Sequence, residues 1–122
     1  MAYAIAWEPK TAIKRYSGFV SGAEFRDAVD ELCMDEHFAG IDWLICDLTA
    51  VTTHSIDAGD VEYTVAMSHG SRRFNPHLAV RVAAIDPTLI ELLQSANDPE
   101  YLNPYRTAIF PTLEAARASL QV

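Results

Sequence analysis

Two short apolar runs, "DWLICDL" (42–48) and "HLAVRVAAI" (77–85), constrain this chain more than any other feature. Each is the length of one strand, and neither carries the strict alternation of a strand that is wet on one face. Such runs belong to strands covered on both sides. The segment between them has helical periodicity, so the two strands are expected to run parallel, joined by a right-handed crossover whose helix packs on the sheet.

The rest of the chain repeats that unit. "YAIAWE" and "AIKRYSG" alternate around "EPKT", which predicts a hairpin with Pro9 in the connection, where its missing N–H costs no ladder bond. "VSGAEFRDAVDELCMDE" predicts a helix. Ser21 and Glu24 have capping-box spacing, Val20 and Phe25 have the spacing of a hydrophobic staple, and Phe25, Ala28, Val29, Leu32 and Cys33 share one face. A second helix is expected from about Asp57 to Arg73, with Ala58, Val61, Val65 and Ser68 along one stripe. Asp86 and Pro87 open a third, as cap and first-turn proline. "RTAIF" predicts a last strand, and Thr112 caps a terminal helix carrying Leu113, Ala116 and Leu120. The expected fold is α/β: one domain over 1–122, with a central mixed, mostly parallel five-stranded sheet in the order ββαβαβαβα.

Nine basic against seventeen acidic residues leave a net charge of −8, a field that repels polyphosphate chains and anionic bilayers. Nucleic acid is therefore not an expected partner. No apolar run approaches the ~18 residues of a transmembrane segment. "MAYAIAWEPK" lacks the basic-then-apolar pattern of a signal peptide, so a cytoplasmic location is expected. Cys33 and Cys46 fall in a predicted helix and a predicted strand without CxxC spacing, which argues against a disulfide framework or a thiolate metal site. "GFVSG" and "HGSRRF" match no phosphate-binding glycine loop, and no cofactor is expected.

Chemistry could sit where "TAVTTHSID" leaves the third strand, because ligands of open α/β sheets bind beyond the carboxyl ends of the strands. This stretch and its approaches give a candidate partner or ligand loop of Asp47, Thr52, Thr53, His54, Ser55, Asp57 and Asp60. A triad of Ser55, His54 and Asp47 or Asp57 is conceivable, but an imidazole seldom reaches the adjacent hydroxyl in line, and no glycine elbow is present. His54, Asp57 and Asp60 fall short of the about four ligands of a closed metal site. Ser55 or Asp57 serves equally well as a helix cap, and Asp57 and Asp60 suit the positive end of a helix. A second cluster, His69, Arg72, Arg73 and His77, is a candidate anion site. It should lie at the opposite pole of the sheet, where cations at a helix C-terminus are the electrostatic default. No enzyme is expected. Tyr16, Phe19, Phe38, Trp43 and Phe74 are expected to pack the core.

"AWEP", "RYSGFVSGAEF", "ICDLTAVT", "NPHLAVRVAAIDP" and "PYRTAIFPTLEAARASL" resemble the small bacterial SpoIIAA-like proteins, a group placed with STAS domains and with the SEC14/CRAL-TRIO fold. The resemblance runs over nearly the whole chain and implies two competing roles. STAS anti-sigma-factor antagonists bind a protein kinase partner and are phosphorylated on a serine at the start of the helix after the central strand. SEC14-like proteins hold a small apolar or lipid-like ligand between sheet and helices. "DLTAVT" (47–52) matches the first half of the antagonist pattern. Without gaps, the aspartate of its second half falls on Ser55 and its two serines fall on Ile56 and Asp57. A hydroxyl is thus missing where the resemblance implies phosphate, a fixed negative charge occupies the neighbourhood, and Thr52, Thr53 and Ser55 are the hydroxyls left nearby. The resulting expectation is a non-enzymatic STAS-like regulatory or interaction domain that meets a protein partner around Thr52 to Asp60. The alternative is a small apolar ligand, and exposed edge strands leave room for a homodimer.

Overall fold

The computed structural model describes residues 2–120. Its strands are β1 (Tyr3–Glu8), β2 (Thr11–Val20), β3 (Trp43–His54), β4 (Ala79–Ala83) and β5 (Thr107–Phe110). Its helices are α1 (Gly22–Met34), α2 (Ala58–Ser71), α3 (Pro87–Gln94) and α4 (Leu113–Ala118), with three short 3-10 turns between them. The order matches the expected ββαβαβαβα. The five strands lie side by side in sequence order, β1 antiparallel to β2 and every later pair parallel.

Because each crossover steps the same way, a single handedness sends α1, α2 and α3 to one face of the sheet. The core on that face joins Tyr16, Val20, Leu48 and Val82 of the strands to Phe25 and Ala28 of α1 and Leu89 and Leu93 of α3. On the opposite face α4 packs Ala116 against Ile13, Ile45 and Ala83. All four helices start at the carboxyl edge of the parallel strands, each with a side-chain cap: Ser21, Asp57, Asp86 and Thr112. The predicted box at α1 is reciprocal, with Glu24 N–H donating to Ser21 Oγ at 3.0 Å and Ser21 N–H donating to Glu24 Oε1 at 3.1 Å.

Two expectations need correction. The third strand does not end at Leu48 but runs to His54, so most of the polar stretch is strand and not loop. β2 is ten residues long and keeps offering a ladder as far as Val20 opposite His54. β4 is shorter and pairs with β3 only through Asp47. Beyond that point β3 has a partner on one side alone, and after the buried Leu48 its Thr52 and Thr53 meet water. Two register shifts interrupt the β2–β3 ladder, and Gly18, with φ 67°, stands at the second, where a side chain would be strained. The second correction concerns the aromatics. Tyr16 and Phe38 are buried, but Phe19 is 55% exposed and Phe74 63% exposed.

Among the described residues no helix is long and apolar enough to cross a membrane.

Candidate functional site

The carboxyl edge of β2 and β3 brings two helix starts together. Ser55 N–H donates to the Val20 carbonyl at 3.0 Å, tying the end of one strand to the other. Its hydroxyl oxygen then accepts from Gly22 N–H at 3.1 Å, so Ser55 satisfies a free donor of α1, not of α2. The cap of α2 is Asp57. Its carboxylate accepts from Asp60 N–H at 3.1 Å while Asp60 accepts from Asp57 N–H at 2.9 Å.

Asp60 is nearly buried, which a carboxylate tolerates only with compensation. Besides that N–H, it has the Arg26 guanidinium of α1, with Nε 3.3 Å away. Gly22 presses so closely that a Cβ there would collide with the Asp60 carboxylate. The two helix starts are therefore one joint: backbone of α1, buried carboxylate of α2, arginine of α1. Asp57 stands outside this joint and is exposed, as are Thr52, Thr53 and Ser55.

Strand alternation divides the rest of the predicted loop. His54 stands opposite Val20, whose side chain is in the core beneath the helices, whereas Thr53 stands opposite the exposed Phe19. Asp47 is opposite the exposed Arg15, on the same sheet face as Phe19, and so points away from His54. Its carboxylate is occupied locally, accepting from Thr49 N–H at 3.0 Å and Thr49 O–H at 2.7 Å. His54 Nδ1 accepts from Ile56 N–H at 3.1 Å and therefore carries no proton for an orienting carboxylate to take. The conceivable triad is not assembled.

At the other pole, His69 Nε2–H donates to the Tyr101 carbonyl at 2.8 Å. Arg72, Arg73 and His77 are exposed. His69 thus closes the end of α2 onto the Pro99–Tyr101 turn.

One residue of interest escaped the sequence reading. Lys14, on the inner face of β2, is only 4% exposed. Its Nζ lies 5.7 Å from the Tyr16 ring centre and 5.9 Å from that of Phe25. Burying an ammonium costs several kcal/mol, of which two ring faces return on the order of 2 kcal/mol. The strongest influence on Lys14 is burial, which pushes its pKa down; Cys46 and Tyr16 push it up and prevail. At neutral pH neither helps as a charge. Burial raises Tyr16 to about 12 and raises Cys46 as well, so both are protonated there. Among the described residues no carboxylate forms an ion pair with Lys14.

Lys14 also lines a cavity of about 80 Å³ between the sheet and the helices, along with Cys33, Cys46 and Val61. The void has a packing cause. α2 rests mainly on α1 and on the segment after α3, and its inner side carries Thr64 and Ser68. Both hydroxyls fold back onto their own helix, to the Asp60 and Thr64 carbonyls. The cavity holds less than three waters at about 30 Å³ each, so no intact lipid enters without parting the helices. The signal available in the sequence was a charged residue sharing the period-two face of Ala12 and Tyr16.

No family model and no curated protein sequence matches the chain. Solved structures do. The anti-sigma factor antagonist SpoIIAA is similar in its unphosphorylated form (11% identity, TM-score 0.62, 98% of each chain). Its phosphorylated form, from Bacillus, gives 12% identity and TM-score 0.61 over 98% of this chain and 99% of that one. An anti-sigma factor antagonist from Mycobacterium paratuberculosis gives 14% identity and TM-score 0.63 over 98% and 93%. An uncharacterized protein with a SpoIIAA-like fold from Shewanella loihica gives 14% and 0.59 over 98% and 92%. At these identities the likeness is one of fold: the chain has the SpoIIAA fold over nearly all of its length. These neighbours carry the SpoIIAA side of the sequence resemblance and not its SEC14/CRAL-TRIO side.

Proposed function

We propose that this chain is a regulatory protein-interaction domain that meets a protein partner at the carboxyl edge of β2 and β3. The observation carrying the proposal is the exposed Phe19 set opposite Thr53, on a sheet face that α4 leaves open, beside the exposed α2 start at Asp57. An uncovered aromatic next to hydroxyls and a fixed charge suits a protein contact better than it suits solubility alone. The shared fold supports the same reading, since its neighbours include proteins described as anti-sigma factor antagonists.

In this reading the contact is not switched by phosphate. Asp57 supplies a negative charge in the neighbourhood where the antagonist pattern implies a modified serine, and it already occupies the helix cap that a phosphate would favour. The domain binds and does not catalyse: His54 and Asp47 serve on opposite faces, and each is engaged locally.

Asp57→Ser tests this, because serine keeps the cap and removes the charge, with stability expected to change by less than about 1 kcal/mol. The partner retained by wild-type protein from lysate of its own host is expected to be lost or strongly reduced with the variant. Equal retention by two proteins of equal melting temperature would count against the proposal.

A further inference from the structure

We propose that the free edge of β1 pairs with the same strand of a second copy of this chain, joining two five-stranded sheets across a two-fold axis. The inference does not rest on the partner contact at β2 and β3.

β1 ends the sheet, and among the described residues no strand pairs with its outer side. Ser17 N–H donates to the Ala2 carbonyl at 2.9 Å, and the β1–β2 register runs unbroken from Tyr3 opposite Tyr16 to Glu8 opposite Thr11. Bonded and unbonded pairs alternate in an antiparallel ladder. Ala4, Ala6 and Glu8 therefore bond to β2, while Tyr3, Ile5 and Trp7 turn their N–H and C=O groups outward. From Tyr3 to Trp7 that outward row has no charge, proline, glycine or bulge to keep another strand away. Glu8, the one charged residue of β1, is answered within its own chain by Arg117, whose Nη2 lies 2.9 Å from Oε2.

The row complements itself. An antiparallel pairing centred on Ile5 sets Ile5 against its own copy and Tyr3 against Trp7, so each outward group meets its counterpart. Opposed side chains share a face, which brings Tyr3 of one copy beside Trp7 of the other. Trp7 lines an open groove of about 360 Å³ with Pro9, Lys10, His37 and Gly40, room enough for a tyrosine ring. On the opposite face Ala4 meets Ala6, both small and exposed, so nothing bulky has to be displaced. An aromatic delivered to a groove by the same register that pairs the backbones favours a second copy over an unrelated strand. The two-fold axis turns the carboxyl edges of β2 in the two copies in opposite directions.

The experiment is sedimentation equilibrium of the full chain and of two double variants at exposed positions, Ala4→Lys with Ala6→Lys and Ala4→Glu with Ala6→Glu. Wild type is expected to sediment as a dimer at about 100 µM, well above a micromolar dissociation constant. Each variant is expected to dimerise at least tenfold more weakly, because position 4 of one copy meets position 6 of the other and like charges oppose. An equimolar mixture of the two variants is expected to recover the dimer, since lysine then meets glutamate. Monomeric wild type at that concentration would leave the edge to some other strand and overturn the proposal. Undiminished dimers of both variants, or a mixture that does not recover, would overturn it as well. The wild-type mass decides even if the variants fail to fold.

Discussion

At the scale of single residues, the helix caps were the most legible part of this molecule, and the side chains near them were the least. Ser21, Asp86 and Thr112 all cap as their local sequence predicts, and Asp57 takes the cap that the sequence left open between it and Ser55, because a cap is a contact over two or three residues. Ser55 was not legible in that way. Its neighbours suggest a cap for α2, yet it serves Gly22 of α1, 33 residues away, a pairing set only when β2 and β3 align. Lys14 could be seen as a charge on an apolar strand face, but not as a charge without a partner. The caps also carry a pH signature. Hydrogen bonds from the Ser21 backbone and hydroxyl hold Glu24 below its ordinary value of 4.5. A carboxylate depressed in the folded state contributes stability that is complete above the unfolded pKa and is lost as pH falls through the folded one. The stability difference between wild type and Glu24→Gln, from denaturant melts, is therefore expected to shrink between about pH 5 and pH 3. A difference constant over that range would contradict the assignment.

Among elements, the informative unit is the joint between α1 and α2. It was invisible in the sequence because it couples three residues from two helices: Gly22, Arg26 and Asp60. Asp60 cannot retreat from a new methyl group, being held by Asp57 N–H on one side and Arg26 on the other. Gly22→Ala, which by helix propensity alone should be neutral or favourable, is expected to destabilise by about 1–3 kcal/mol. A lowered midpoint in urea unfolding at unchanged slope checks this, and a raised midpoint refutes it. The length of β3 misled for a related reason. Polarity after Leu48 reads as a loop on the assumption that both neighbours of a central strand are equally long, whereas β2 continues and β4 stops. Hydrophobic pattern reports how much water a segment meets, not whether its backbone is paired.

For the whole molecule, alternating periodicity was enough to give the strand and helix order and the parallel sheet, because each crossover is decided by local pattern and fixed handedness. The uncovered Phe19 and the cavity beneath α2 were beyond that logic, since both depend on how far a helix packed elsewhere happens to reach. Phe19 reads as core by composition yet stands in water, while α4, six residues long, packs Ala116 against Ile13, Ile45 and Ala83. The central claim is thus one of place: a partner docks at the carboxyl edge of β2 and β3, and not at the basic end of α2. Site-specific photocrosslinking in the host cell tests it, with a benzophenone side chain at Thr53 and, in a second protein, at His77. The account predicts a discrete protein adduct from position 53 and none from position 77. An adduct from position 77 alone, or none from position 53 in a protein that folds normally, would contradict it.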